Sequence, residues 1–87
     1  MAQFHTSRGE EELSREQARQ MLEGGYSVLV TSKDGPGNRD GFYVAKAGAD
    51  QATPYTVETE DGDPLADFRD IDDALSYATE MADRVSD

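Results

Sequence analysis

Cysteine and tryptophan are both missing from this chain of 87 residues. Without thiols there are no disulfides and no thiolate metal sites. Without Trp, any core must be assembled from smaller side chains. Histidine occurs once, at His5, so a His-rich zinc site cannot be built within the chain. Lysine is nearly absent too, with only Lys33 and Lys46 among eight basic residues. No stretch approaches the roughly 20 apolar residues of a membrane span, and residues 1–12 hold no apolar run like that of a signal peptide. The expectation is a cytoplasmic protein with no membrane partner.

What is abundant is negative charge. Nineteen acids face eight bases, for a formal net charge of −11. The imbalance is lopsided: residues 1–57 carry eight acids and six bases, whereas residues 58–87 carry eleven acids and two bases. Phosphate binding is driven mainly by Lys and Arg, so such a surface discourages nucleic acid and anionic membranes. Eighty-seven residues make one domain, spanning 1–87, and a chain this short buries only roughly 60–65% of its unfolded surface. Scarce Lys, Asp in excess of Glu and few large aliphatics resemble the proteins of salt-loving archaea. That resemblance implies a solvated surface adapted to concentrated salt.

The local patterns predict an α+β domain. Residues 1–9 read as a short edge strand or a flexible tail. Ser14 followed by Gln17 is a capping box, Leu13 can staple onto Ala18, and Gly24-Gly25 stops the helix, which places it at 14–23. Tyr26-Ser-Val-Leu-Val-Thr31, Gly41-Phe-Tyr-Val-Ala-Lys46 and Tyr55-Thr-Val-Glu-Thr-Glu60 are rich in β-branched and aromatic residues and read as strands. Residues 33–40 and 47–54 read as loops, Asp61-Gly62 as a turn, and residues 64–68 as a short fourth strand. Asp70 is a candidate N-cap for a final helix. There Ile71, Ala74, Leu75, Ala78, Met81, Ala82 and Val85 recur with helical spacing, while Glu80 and Asp83 point outward. The expected order is α-β-β-β-(β)-α: an antiparallel sheet of three or four strands with two helices on one face.

Motifs for chemistry fail on inspection. Gly35-Pro-Gly37-Asn-Arg-Asp-Gly41 lacks the Lys-Ser/Thr of a phosphate loop and leads into a strand, so it reads as a hairpin loop. Asp61-Gly62-Asp63 hints at calcium, but the following positions hold Leu65, Ala66 and Asp72 where an EF-hand needs an oxygen ligand, Gly and Glu. No local motif supports a Ser/His/Asp triad. No enzyme activity, metal or cofactor is expected. Tyr26, Phe42, Tyr43 and Tyr55 lie on predicted strands, where they serve either cross-strand packing or base stacking. The small residues Ala74, Ala78 and Ala82 let a helix lie close against its neighbour, within the chain or in a second copy. Together with Met81 they form the candidate interaction face.

Two resemblances follow from these residues. The α-β-β-β-α order is similar to the double-stranded RNA-binding domain. That family places a Lys-rich cluster at the start of its last helix, where this chain has Asp70-Ile-Asp-Asp73. Residues 55–83 resemble a hairpin-plus-helix module of small prokaryotic domains without an assigned reaction. The resemblance rests on Tyr55-Thr-Val-Glu-Thr-Glu-Asp-Gly62, on Phe68-Arg-Asp-Ile-Asp-Asp-Ala74, and on Ala78 and Ala82. Some antitoxins share a similar hairpin and helix, which implies partner binding. The expected function is therefore a non-enzymatic, homodimeric protein-interaction module of a halophilic archaeon. The alternatives are a nucleic-acid-binding domain of dsRNA-binding-like topology and a small enzyme with an acidic pocket.

Overall fold

The computed structural model describes residues 2–7, 11–32, 41–46 and 52–85. Its elements are β1 (Ala2–Thr6), β2 (Glu12–Leu13), α1 (Arg15–Glu23), β3 (Val28–Ser32), β4 (Gly41–Ala45), β5 (Tyr55–Thr59), β6 (Pro64–Phe68) and α2 (Ile71–Val85). The strands form one antiparallel sheet in the order β2-β1-β3-β4-β5-β6. The α+β class is as expected, but the sheet has six strands rather than three or four, and two of them precede α1. The first segment is no edge strand: β1 lies inside the sheet, paired over five residues with β3 and capped on its outer side by the two-residue β2.

The helix starts and stops where its capping chemistry dictates. The Ser14 side chain accepts a hydrogen bond from the Gln17 backbone N–H at 3.1 Å, and the Gln17 side chain accepts one from the Ser14 N–H at 2.9 Å. Both donors belong to the open end of the helix and would otherwise lack partners. At the other end Gly25 takes φ +88°. Its N–H donates to the Leu22 carbonyl at 3.0 Å, and the Tyr26 N–H donates to the Met21 carbonyl at 2.9 Å. This is a Schellman closure, and it explains why β3 begins at Val28 rather than Tyr26. Tyr26 is still occupied in ending the helix, and its ring is largely exposed.

Alternation then sorts each strand between two faces. Phe4, Val28, Val30, Phe42, Val44 and Val57 belong to one hydrophobic cluster with Ala18 and Leu22 of α1 and with Ile71, Ala74, Leu75, Ala78 and Ala82 of α2. The cross-strand pairs Phe4–Val30, Val30–Phe42, Val28–Val44 and Val44–Val57 keep this set on one side of the sheet. Phe68 and Tyr77 extend the cluster over β6, their ring centroids 5.2 Å apart. Asp83 departs from expectation, being half-buried rather than outward-facing. Glu80 is exposed and pairs with Arg84 at 2.8 Å, one helical turn on. The expected 33–40 hairpin loop lies outside the described residues, as do residues 47–51 of the expected 47–54 loop, and Gly41 opens β4.

The β5–β6 hairpin closes on Gly62, whose φ of +91° only glycine adopts freely. The Gly62 N–H donates to the Thr59 carbonyl, and the Thr59 N–H donates to that of Asp63, each at 2.9 Å. A bulge between Val57 and Glu58 follows, bringing Pro64 opposite Glu58. Pro64 at the start of an edge strand, together with this bulge, blunts the free edge of β6 against further pairing.

Candidate functional site

The candidate interaction face of the sequence is used inside the chain. Ala74, Ala78 and Ala82 are fully buried in the core cluster against the sheet, and Met81 is half-buried at its margin. Their small side chains bring α2 close to β3, β4 and β5. As folded, the alanine ladder therefore offers no accessible surface to a second molecule.

At the start of α2 lies a shallow, widely open hollow of about 500 Å³. Its rim gathers Glu23, Asp70, Asp72 and Asp73 with Arg19 and Arg69, over Tyr55 and Ile71. Asp72 is the centre of an inter-helix clamp. Its carboxylate pairs with Arg19 at 3.4 Å and with Arg15 at 3.9 Å. Arg15 also donates to the Asp72 carbonyl at 3.1 Å and to the Ser76 hydroxyl at 2.9 Å. These side chains are about half exposed, and such pairs contribute at most about 1 kcal/mol each. The clamp ties α1 to α2 and spends the arginines on carboxylates. Among the described residues, no three His, Asp or Glu side chains converge to hold a metal ion.

The opposite face of the sheet is different. Both helices pack on the core side, so the second face, carrying Gln3, His5, Leu29, Thr31, Gly41, Tyr43, Ala45, Thr56 and Glu58, has no helix among the described residues upon it. Register puts His5, Leu29, Tyr43 and Glu58 in one row across β1, β3, β4 and β5. Three of these side chains reach along the sheet. His5 Nε2 is 3.0 Å from the Thr31 hydroxyl. The Tyr43 hydroxyl donates to the Ser7 carbonyl at 3.2 Å, spanning β3 to the end of β1. Leu29 covers Gly41 so closely that a Cβ there would sit 3.0 Å from its Cδ1. On the same face of the far strands, the Thr56 hydroxyl donates to Asp67 at 2.8 Å.

No protein-family model, curated protein or solved structure matches the chain. Function must be argued from the molecule's own surfaces.

The four aromatics weighed from sequence separate accordingly. Phe42 is core, Tyr55 is half-buried beside the hollow, Tyr26 projects at the end of α1, and Tyr43 lies on the helix-free face. Of the six arginines, Arg15 and Arg19 engage Asp72, and Arg84 engages Glu80. The hollow holds Asp70, Asp72 and Asp73 where the RNA-binding family holds its basic cluster. Sequence reasoning overlooked the row of His5, Leu29 and Tyr43. Each residue was legible as a strand residue, but their alignment depends on register between strands more than 20 residues apart in the chain for β1 and β3.

Proposed function

We propose that this chain is a non-enzymatic protein-interaction module, acting as a homodimer in the cytoplasm of a salt-adapted archaeon. One observation carries the reading: among the described residues, helices cover one face of a six-stranded sheet and none lies on the other. A half-buried sheet face with Leu29 and Tyr43 in its middle is surface that association can bury. Salt adaptation is supported by the net charge of −11 and by two lysines against eleven Asp. No described helix is long and apolar enough to cross a membrane. This reading includes no cofactor, and it includes no nucleic acid because Arg15, Arg19 and Arg84 are engaged by carboxylates in a chain of net charge −11.

A second reading, a small enzyme with an acidic pocket, is favoured only by the hollow at the start of α2. Its shallow, open form gives little of the water exclusion that strengthens catalytic electrostatics. The test of the leading reading is affinity capture of the tagged full chain from a native lysate at molar KCl, with sedimentation of the purified protein alongside. A specific protein partner, or a mass near twice the monomer's 9.5 kDa, is expected. Monomeric protein with no retained partner would refute it. Tight, salt-sensitive binding to duplex RNA or DNA would instead support the nucleic-acid alternative.

A further inference from the structure

We propose that the helix-free face of the sheet docks an amphipathic helix of another protein, one whose apolar stripe is flanked on both sides by Lys or Arg. The inference rests on the interaction-module reading and names the surface and the chemistry of its partner. It does not depend on whether the chain also dimerises.

Charge is ordered across this face. Register places Glu12, His5, Leu29, Tyr43 and Glu58 in one row over β2, β1, β3, β4 and β5. The row has a carboxylate at each end and none in the middle. Glu60 joins the second margin: alternation puts it on the face of Glu58, and its Oε1 stands 3.0 Å from where a Gly41 Cβ would lie. Asp67 extends that margin onto β6, holding the Thr56 hydroxyl at 2.8 Å. Among the described residues no Lys or Arg pairs with Glu12, Glu58 or Glu60. Between the margins Leu29 and Tyr43 are only half-buried, and the Tyr43 hydroxyl is already bonded to the Ser7 carbonyl. A partner that covers them therefore loses little of the chain's side-chain freedom. The acids that would repel another copy of this chain attract basic flanks.

The sheet also selects the form of the partner. β3 and β4 are paired on both edges, so an extended peptide finds no backbone groups to join in the middle of the face. A helix satisfies its own backbone and docks through side chains alone. Four strand spacings of about 4.8 Å put Glu12 and Glu58 about 19 Å apart. A helix with its side chains is about 10–12 Å across, which leaves each margin within reach of a Lys or Arg. Strands of five residues run about 17 Å, the length of about three helical turns.

The chain has no tryptophan, so a peptide carrying one reports its own binding by fluorescence. The probe is a helical peptide of about 18 residues with a Leu/Trp stripe between Lys flanks. Its comparators are the same stripe with Glu flanks and an equally charged Lys peptide without the stripe. Titrations of the full chain in about 0.2 M and 2 M KCl, with folding verified by circular dichroism, read the affinity. The Lys-flanked probe should bind saturably below about 1 mM, and both comparators at least about tenfold more weakly. Glu12→Lys and Glu58→Lys, on opposite margins, should each raise its Kd at least about fivefold, and Asp73→Lys at the start of α2 less than about twofold. The effects of the two margin variants should shrink in 2 M KCl, while the loss caused by Leu29→Thr should persist. Amide chemical shifts of the wild type should move on β1, β3 and β4, which locates the site even if a variant unfolds. No saturable binding up to about 1 mM, equal binding of either comparator, Asp73→Lys as damaging as Glu58→Lys, or shifts confined to α2 would overturn the inference. If the probe fails while the purified chain sediments as a dimer or retains a specific partner, this docking site falls and the interaction module stands. Failure of the probe with monomeric protein and no retained partner would end both.

Discussion

Enlarging one alanine of the α2 ladder tests whether that ladder is core or interface. Ala78 is fully buried in the same cluster as Val28, Val44 and Val57. Ala78→Leu inserts three further carbons between α2 and a sheet that already touches the helix. Overpacking of this kind costs about 1–3 kcal/mol, because neighbouring side chains must leave their preferred rotamers or the helix must lift. At about 0.05–0.15 kcal/mol per residue, a chain of this length has a total stability of roughly 4–13 kcal/mol, so the loss is a substantial share. For a domain of this size each kcal/mol moves Tm by about 4–8 °C, and the expected drop is about 5–20 °C. Thermal unfolding followed by circular dichroism in molar KCl measures it. Dilute protein should be used, so that association does not add its own stabilisation. Glu80→Ala, on the exposed side of the same helix, is the reference and should stay within about 0.5 kcal/mol of wild type. An unchanged Tm for Ala78→Leu, accompanied by an altered sedimentation profile, would show that the ladder faces a partner and would refute the packing argument.

Leu75→Ala removes a fully buried side chain and should cost about 2–5 kcal/mol, read as a lowered urea midpoint with an unchanged slope. Gly25→Ala meets no atom within 4 Å but forces alanine to φ +88°, so a backbone cost of about 1–2 kcal/mol is expected, with Gly25→Asn milder. Neutral behaviour of Gly25→Ala in chemical denaturation would mean that the helix does not end in the left-handed closure. Tm should rise with KCl between about 0.05 M and 3 M as repulsion among the acids of residues 58–87 is screened, and a flat series would show that charge does not limit stability.

The parts of the fold legible in the sequence are those whose signals are local. Ser14 and Gln17 are three residues apart, and their reciprocal bonds need nothing from the rest of the chain. Ile71, Ala74, Leu75, Ala78 and Ala82 repeat with the period of a helix, and all five are buried. Val28, Val30, Phe42, Val44 and Val57 announce strands by their β-branched and aromatic character. The first two strands carry no such signal. β1 offers Phe4 as its one large apolar residue, and β2 is two residues long. What holds β1 is a ladder to β3 across the intervening helix, and hydrogen bonds between backbones leave no mark on side-chain composition. Tyr26 misled for the reverse reason: its aromatic ring reads as strand, yet its backbone N–H is committed to the helix end.

The same distinction separates the two candidate interaction surfaces. The alanine ladder is conspicuous because helical periodicity writes it along the chain, and such periodicity marks the side of a helix that meets its nearest large surface. In a domain this small that surface is its own sheet, so a conspicuous stripe is more readily core than docking site. A face built from single residues of successive strands has no period to reveal it. His5, Leu29 and Tyr43 lie 24 and 14 residues apart in turn and become neighbours only through the β1–β3 and β3–β4 registers. The charge pattern separates the surfaces in the same way. Acids crowd the β5–β6 hairpin and the start of α2, where Asp72 binds the arginines of α1, and they reach the helix-free face at Glu58 and Glu60. Concentrated salt therefore relieves repulsion most where these acids crowd, at the β5–β6 hairpin and the start of α2.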